Sequence, residues 1–293
     1  MNDSPREGIT WGMLFRHVRK EKMTLAGLFL LLALLILAIA APVISRQTYD
    51  KQTLEDKVSS PSAKYWMGTD RFGRDVCARV LYGARVSLFV GLVSQGIAIL
   101  IGLPLGALGG YFRGWVDDIV MWLISVFWSF PSFLLIMAVS ISLPEQFPGI
   151  VRVFMAVGIV SWVSVARIVR GQFISEKENA YVEAARALGY SPLRIIFRHV
   201  LPNTFPPLTV VVTLGFAGAI LAEAGLSFLG LGVQLPTPSW GQMIRDGYGY
   251  IVIGTGWWMS VFPGLAIMLA VLAFNFVGDG LRDLLDPRLR GSR

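Results

Sequence analysis

The chain has 293 residues, 54% of them hydrophobic and only 15% charged, with a mean hydropathy of +0.61 and a net charge of +7. A water-soluble domain carries nearer to about a quarter charged residues, so the excess apolar surface must face lipid, as one bundle of spanning helices. A single cysteine, Cys77, excludes an internal disulfide, and His17 and His199 lie far apart without ligand spacing around them, which argues against a metal site.

The leader comes first. Trp11, Leu14, Phe15 and Val18 fall at i, i+3, i+4 and i+7, with Arg16, Arg19 and Lys20 elsewhere on the wheel. Residues 1–24 therefore read as an interfacial helix on the inner leaflet, with a solvated polar tail as the alternative. Six apolar stretches follow, at Leu25–Ile44, Val86–Gly109, Ile119–Leu143, Val153–Val169, Leu208–Leu231 and Trp257–Val277. Each is roughly 17–25 residues long, enough to cross the hydrocarbon core. Ala38-Ile39-Ala40 resembles a signal-peptide cleavage site, but the apolar run is too long and its leader too extended, so the stretch is expected to stay as the first span. The expected division is an outer loop at 45–85, a five-helix core at 86–278 and an inner tail at 279–293.

Lysine and arginine set the orientation. They crowd before the first span, between the fourth and fifth (Arg170, Lys177, Arg186, Arg194, Arg198), and after the sixth (Arg282, Arg288, Arg290, Arg293). An even number of spans puts these segments on one side, expected to be cytoplasmic, with both termini there. The first outer loop also carries basic residues, but it is long and holds Asp50, Glu55, Asp56, Asp70 and Asp75 as well. Within it, Asp70, Arg71, Arg74 and Asp75 beside Gly68 and Gly73 read as a turn held by local charge pairs, or as an outer docking surface. Gly102, Gly106 and Gly110, spaced by four, read as a surface for close approach of a second helix, with the ordinary tolerance of membrane helices for glycine as the alternative. Asp117 and Asp118 mark the start of the third span; Trp128, Phe130 and Pro131 shape either a pathway or a packed kink.

The polar segment between the fourth and fifth stretches, at 171–203, reads as a hairpin. Ser175 to Glu178 fits a capping box, Gly189 stops the first helix, Ser191 caps the second with Pro192 at its first position, and Pro202 ends it. Tyr181, Ala184, Ala185 and Leu188 share a face with Glu183 beside it. That face either docks in a partner's groove or packs under its own bundle. In the fifth span, Glu223 is costly in lipid and must face the bundle interior, a partner or water. It is a weak candidate for the substrate pathway or a tie between helices; Asn275 carries the same ambiguity.

Glu183-Ala184-Ala185-x-x-x-Gly189 with Leu201-Pro202 resembles the EAA loop of permease subunits from ATP-binding-cassette (ABC) importers. Gly68-Thr69-Asp70-Arg71-Phe72-Gly73-Arg74-Asp75, Leu81 to Leu88, Leu226 to Gly232, Pro238-Ser239-Trp240-Gly241 and Asn275 to Asp283 are similar to the C-type subunits of dipeptide, oligopeptide and nickel permeases. Arg113 departs from the pattern, standing where such permeases often carry glycine. The resemblance implies an all-α type I permease fold with six transmembrane helices and a cytoplasmic coupling hairpin, in a bacterial inner membrane. It implies a non-catalytic subunit that binds no cofactor, with ATP-Mg on its partners. The partners implied are a second, homologous permease in a heterodimer, two ATP-binding subunits, an outer solute-binding protein and the bilayer, with no nucleic acid. Tyr181, Glu183, Ala184, Ala185, Leu188 and Gly189 would couple to the ATPase. Peptide is the expected cargo, nickel or another small solute the alternative. The sequence lacks a G-x-x-x-x-G-K-[ST] phosphate loop, in keeping with this division of labour. An ion-coupled secondary transporter, a tethered helix-turn-helix and an intramembrane enzyme find thinner support, since Glu223 alone makes no ion site and no acid–base constellation stands out.

Overall fold

In the computed structural model, residues 21–285 are described. The leader helix expected around Trp11 and the tail residues Arg288, Arg290 and Arg293 lie outside them. The described residues form helices α1 (Lys22–Ile44), α2 (Val76–Phe112), α3 (Trp115–Trp128), α4 (Ser132–Ser142), α5 (Gly149–Glu176), α6 (Ala180–Ala187), α7 (Pro192–Phe228), α8 (Trp240–Val252) and α9 (Trp258–Leu285). Five are long and apolar enough to cross a membrane, and α3 with α4 makes a sixth, bent by 93° at the break between them.

That break corrects the expectation of one span over Ile119–Leu143. Hydropathy runs through the segment unbroken, but Pro131 lacks an N–H and disfavours helical backbone at Phe130 before it. Pro131 itself takes an extended ψ of 122° as N-cap of α4. A second boundary also moves. Residues 76–85, expected in the outer loop, are the first turns of α2, capped by the Asp75 carboxylate, which accepts from the Cys77 N–H at 2.8 Å. Their charges misled because each has an internal partner. Arg85 donates through Nε to the Ala38 carbonyl at 2.5 Å and through Nη2 to the Ile39 carbonyl at 2.9 Å. Ala38 is four residues before Pro42, which sits inside α1 and has no N–H to offer it. Arginine thus satisfies a carbonyl that proline strands. At the other end of the chain, α9 continues helical to Leu285, beyond the expected start of the tail at 279.

The most extensively packed helix pair is α2 with α5. Gly102, Gly106 and Gly110 line the contact. A Cβ at Gly102 would stand 2.6 Å from the Trp162 carbonyl and one at Gly110 2.7 Å from that of Arg170; at Gly106 it would strike the Ala166 carbonyl. Gly158 repeats this from the α5 side, against Ile97 and the Ser94 carbonyl. The spacing of four thus lets two backbones meet along three turns.

Around this pair, α7 and α1 pack on α9. The short helix α8 is anchored by Trp240, wholly buried, whose Nε1 donates to the Val80 carbonyl at 3.0 Å. The loop over residues 45–75 covers the start of α2. Asp70 accepts from the Phe72 and Arg74 amides and pairs with Arg74 Nε at 2.6 Å, while Arg71 pairs with Asp246 of α8 at 2.9 Å. Trp258 Nε1 fixes the Thr69 carbonyl at 3.0 Å. Asp70, Arg74 and Asp75 are buried, so of the two readings of this segment the turn held by charge pairs describes it. Only Arg71 of the four is exposed. Outside the helices, Lys64 and Tyr65 donate to Asp56, and these bonds hold its carboxyl below the usual range.

Gly106→Leu should separate α2 from α5 and destabilise the fold by about 1–3 kcal/mol or more, the cost of overpacking. Gly171→Ala, where nothing lies within 4 Å of a new Cβ, should be neutral. Cys77 is the sole cysteine and is buried, so the temperature at which it reacts with a thiol-reactive fluorophore measures both.

Candidate functional site

The hairpin at 171–203 joins two long helices and exposes one short one. The capping box expected at Ser175–Glu178 is not a helix start. Phe173, wholly buried, keeps α5 in the core to Glu176. Asn179 is instead the N-cap of α6, with its Nδ2 donating to Glu176 Oε2 at 2.8 Å. The stop is as read. Gly189 adopts φ +76°, the Tyr190 N–H reaches the Ala185 carbonyl at 3.1 Å, and the Gly189 N–H reaches that of Arg186 at 2.9 Å. Ser191 caps α7 by accepting from the Arg194 N–H, and Pro192 is its first residue.

Pro202 does not end the second helix. Residues 196–200 form a π turn, in which the Leu201 N–H bonds the Ile196 carbonyl, and the α-helix then runs from Leu201 to Phe228. The widened turn absorbs the missing N–H of Pro202, so the hairpin's second arm and the fifth span are one helix.

The expected docking face divides. Val182 and Ala185 point inward, in a cluster with Tyr111, Phe173, Ile195 and Val200. Ala185 therefore packs on its own bundle. Tyr181 is a clip: its hydroxyl donates to Glu176 Oε2 at 2.7 Å and accepts from Asn203 Nδ2 at 3.1 Å, joining the ends of α5, α6 and α7. Glu183, Ala184 and Leu188 face outward, Leu188 with 72% of its surface exposed. Leu193 and Phe197, on the first turns of α7, are 63% and 66% exposed. Sequence reasoning missed both; their i, i+4 apolar spacing in a polar segment was the available signal.

Ion pairs brace this end. Arg170 holds Asp117 of α3 through Nε at 2.5 Å and Nη2 at 2.7 Å. Arg113 pairs with Glu178 at 2.7 Å. Arg113 adopts φ +55°, a backbone that favours glycine, so this departure from the family pattern is held in a strained conformation by a link to the hairpin. Lys177 donates to the Tyr111 carbonyl, and burial, then repulsion from Arg113 and Arg186, lowers its ammonium pKa.

A half-open cavity of about 680 Å³ lies between α2, α3, α4, α5 and α7. Phe127, Trp128, Phe130 and Phe133 supply aromatic wall, and Gln95, Ser161 and Ser164 supply polar groups. Trp128 and Phe130 thus shape this space, while Pro131 makes the bend beside it. Arg167 stacks its guanidinium 4.3 Å from the Trp128 ring centre. Glu223 does not line the cavity. It is wholly buried, accepting from Ser227 at 2.7 Å and from Ser87 of α2 at 3.2 Å, with the Ser239 hydroxyl also against it. Of its two readings, the tie between helices matches this geometry.

Residues 102–291 match the family model described as "Binding-protein-dependent transport system inner membrane component", and residues 10–61 match the "N-terminal TM domain of oligopeptide transport permease C". The chain is 43% identical over 276 residues to the dipeptide transport system permease protein DppC of Bacillus subtilis, covering 94% of this chain and 85% of that protein. It is 38% identical over 280 residues to the oligopeptide transport system permease protein OppC of the same organism, covering 96% and 90%. Among solved structures, an inward-facing form of the MetNI methionine ABC transporter superposes with a TM-score of 0.56 at 23% identity, over 70% of this chain and 95% of that one. That likeness establishes the fold.

Tyr181→Phe should loosen the hairpin base. Losing one half-buried hydroxyl that bonds two other helices costs about 1 kcal/mol, or roughly a fivefold rise in the opened population. Limited trypsin cleavage at the exposed Arg186 should accelerate by a similar factor, whereas Glu183→Ala should leave the cleavage rate unchanged.

Proposed function

The chain belongs to the binding-protein-dependent transport inner membrane component family of ABC importers, and we propose that the cargo it passes is a di- or oligopeptide. The names of its relatives point to peptide. So does the cavity, whose volume lies in the range of small-ligand sites and whose aromatic wall tolerates varied side chains.

In this reading the subunit pairs with a second, homologous permease, and two ATP-binding subunits dock beneath them. ATP and Mg²⁺ are held there, and an outer binding protein delivers the peptide. The lysine and arginine distribution supports a cytoplasmic hairpin and cytoplasmic termini. Glu183, Ala184 and Leu188, continued by Leu193 and Phe197, form the surface that enters a groove on the ATPase. Tyr181, Ala185 and Gly189 hold that surface in place. The observation that carries the proposal is continuity: the helices flanking α6 are the same α5 and α7 that wall the cavity. A push on α6 therefore reaches the cargo space through two continuous helices, which is what alternating access requires of a subunit with no chemistry of its own.

Leu188→Asp and Phe197→Asp each place a carboxylate in the docking patch, where its desolvation opposes binding. Each should cut recovery of the ATP-binding subunits in a pull-down by about tenfold or more, a loss of about 1.4 kcal/mol or more. Import of a labelled dipeptide into proteoliposomes holding the assembled transporter should fall with it. Full recovery of the ATPases with both variants would contradict the docking surface; failure of the unaltered transporter to import any peptide would contradict the cargo.

A further inference from the structure

Polar side chains in a membrane bundle normally direct their hydrogen bonds to a nearby carbonyl, because lipid offers no partner. Most of those described here do so. Ser125, Ser129, Ser142 and Thr213 each donate to the carbonyl four residues back, at 2.7–2.8 Å. Ser94 reaches the Phe154 carbonyl at 3.1 Å, and Ser87 and Ser227 serve Glu223. The side chains of Gln95, Ser161 and Ser164 are different. All three line the cavity, and among the described residues none has a hydrogen-bonding partner.

Gln95 is the most informative of these. It lies near the middle of α2 and is only 4% exposed, and its carboxamide opens on the cavity. Its position is set from α7 by Gly215, where a Cβ would collide with the carboxamide oxygen. The bundle has thus kept space open for an amide that serves nothing within it. A primary carboxamide offers two N–H donors and one carbonyl acceptor. Those are the complements of a peptide bond's carbonyl and N–H. Ser161 and Ser164, one turn apart on α5, continue the polar track towards the hairpin, while aromatic and aliphatic walls surround it.

We propose that Gln95, followed by Ser161 and Ser164, is a transit site for the backbone amide of a peptide inside the cavity. The site reads the feature every peptide shares and leaves the side chains to the apolar wall. This rests on the peptide-import reading above and deepens it.

The test uses the assembled transporter in proteoliposomes with dialanine and with dialanine methylated on its peptide nitrogen, each at saturating concentration. The methylated form cannot donate. The unaltered transporter should carry dialanine about tenfold faster, the worth of one well-made hydrogen bond. Gln95→Met keeps the length and removes the amide; the ratio of the two rates should fall to near one. Gly215→Ala, which displaces the carboxamide, should do the same. If Gln95→Met does not assemble, Ser164→Ala, at an exposed position, carries the test and should lower the ratio less. A ratio that is unchanged in the variants, or already near one in the unaltered transporter, overturns the proposal alone. Absence of dialanine uptake by the unaltered transporter overturns the peptide reading and the transit site together.

Discussion

Two helices that meet backbone to backbone set the terms for everything else in this bundle. Gly102, Gly106 and Gly110 of α2 let the carbonyls of Trp162, Ala166 and Arg170 on α5 approach to distances no larger residue would allow. In lipid the hydrophobic effect does not drive helices together, so close packing has to. The consequence is mechanical. Held along several turns, α5 is stiff from Ser161 on the cavity wall to Glu176 at the hairpin, a reach of roughly 22 Å at 1.5 Å per residue. On the other side α7 is continuous from Pro192 to Phe228, its π turn absorbing the missing N–H of Pro202, with Pro206 and Pro207 inside the following turns. The exposed helix α6 is therefore fixed between two rods.

Several charged and polar groups in the rest of the bundle are tied to partners inside it. Arg85 satisfies the carbonyls near Pro42, Asp117 is gripped by Arg170, and Glu223 draws hydroxyls from Ser87 and Ser227. Such ties are strong where water is excluded, and breaking one strands its partner. On the cavity wall, Gln95, Ser161 and Ser164 instead turn unpartnered polar groups to the space where cargo would pass.

Much of this was legible in the sequence, because lipid imposes a coarse and readable pattern. The long apolar runs are the spans, the fourfold glycine spacing is the α2–α5 seam, and the Gly189 turn with its Ser191-Pro192 restart stands where it was read. What escaped depended on three-dimensional context. A kink at Pro131 was one reading of the sequence, but the continuous hydropathy of Ile119–Leu143 concealed a bend of 93° that divides the stretch into two helices. Arg79 and Arg85 read as loop because their partners lie in the cover of residues 45–75 and at the end of α1. Periodicity grouped Tyr181, Ala184, Ala185 and Leu188 on one face but could not tell which way it turned; Phe173, Ile195 and Val200 decide that by drawing Val182 and Ala185 inward. Gln95 sits in an apolar run and gave no signal, since a cavity exists only once α2, α4, α5 and α7 have come together. Glu223 drew attention as the acid in a membrane, and its bonds to Ser87 and Ser227 fit the tie between helices.

The account rests on the hairpin and the cavity wall of α5 moving as one body. A direct measurement is the distance between spin labels at Ala187 and Ser164 in the assembled transporter, nucleotide-free and with ATP trapped, together with the exposure of the Ser164 label to a hydrophilic quencher. The account predicts that trapping ATP changes the exposure at Ser164 while the distance between the labels holds. A change in that distance of a helical turn, about 5 Å, or an exposure that never changes would contradict it.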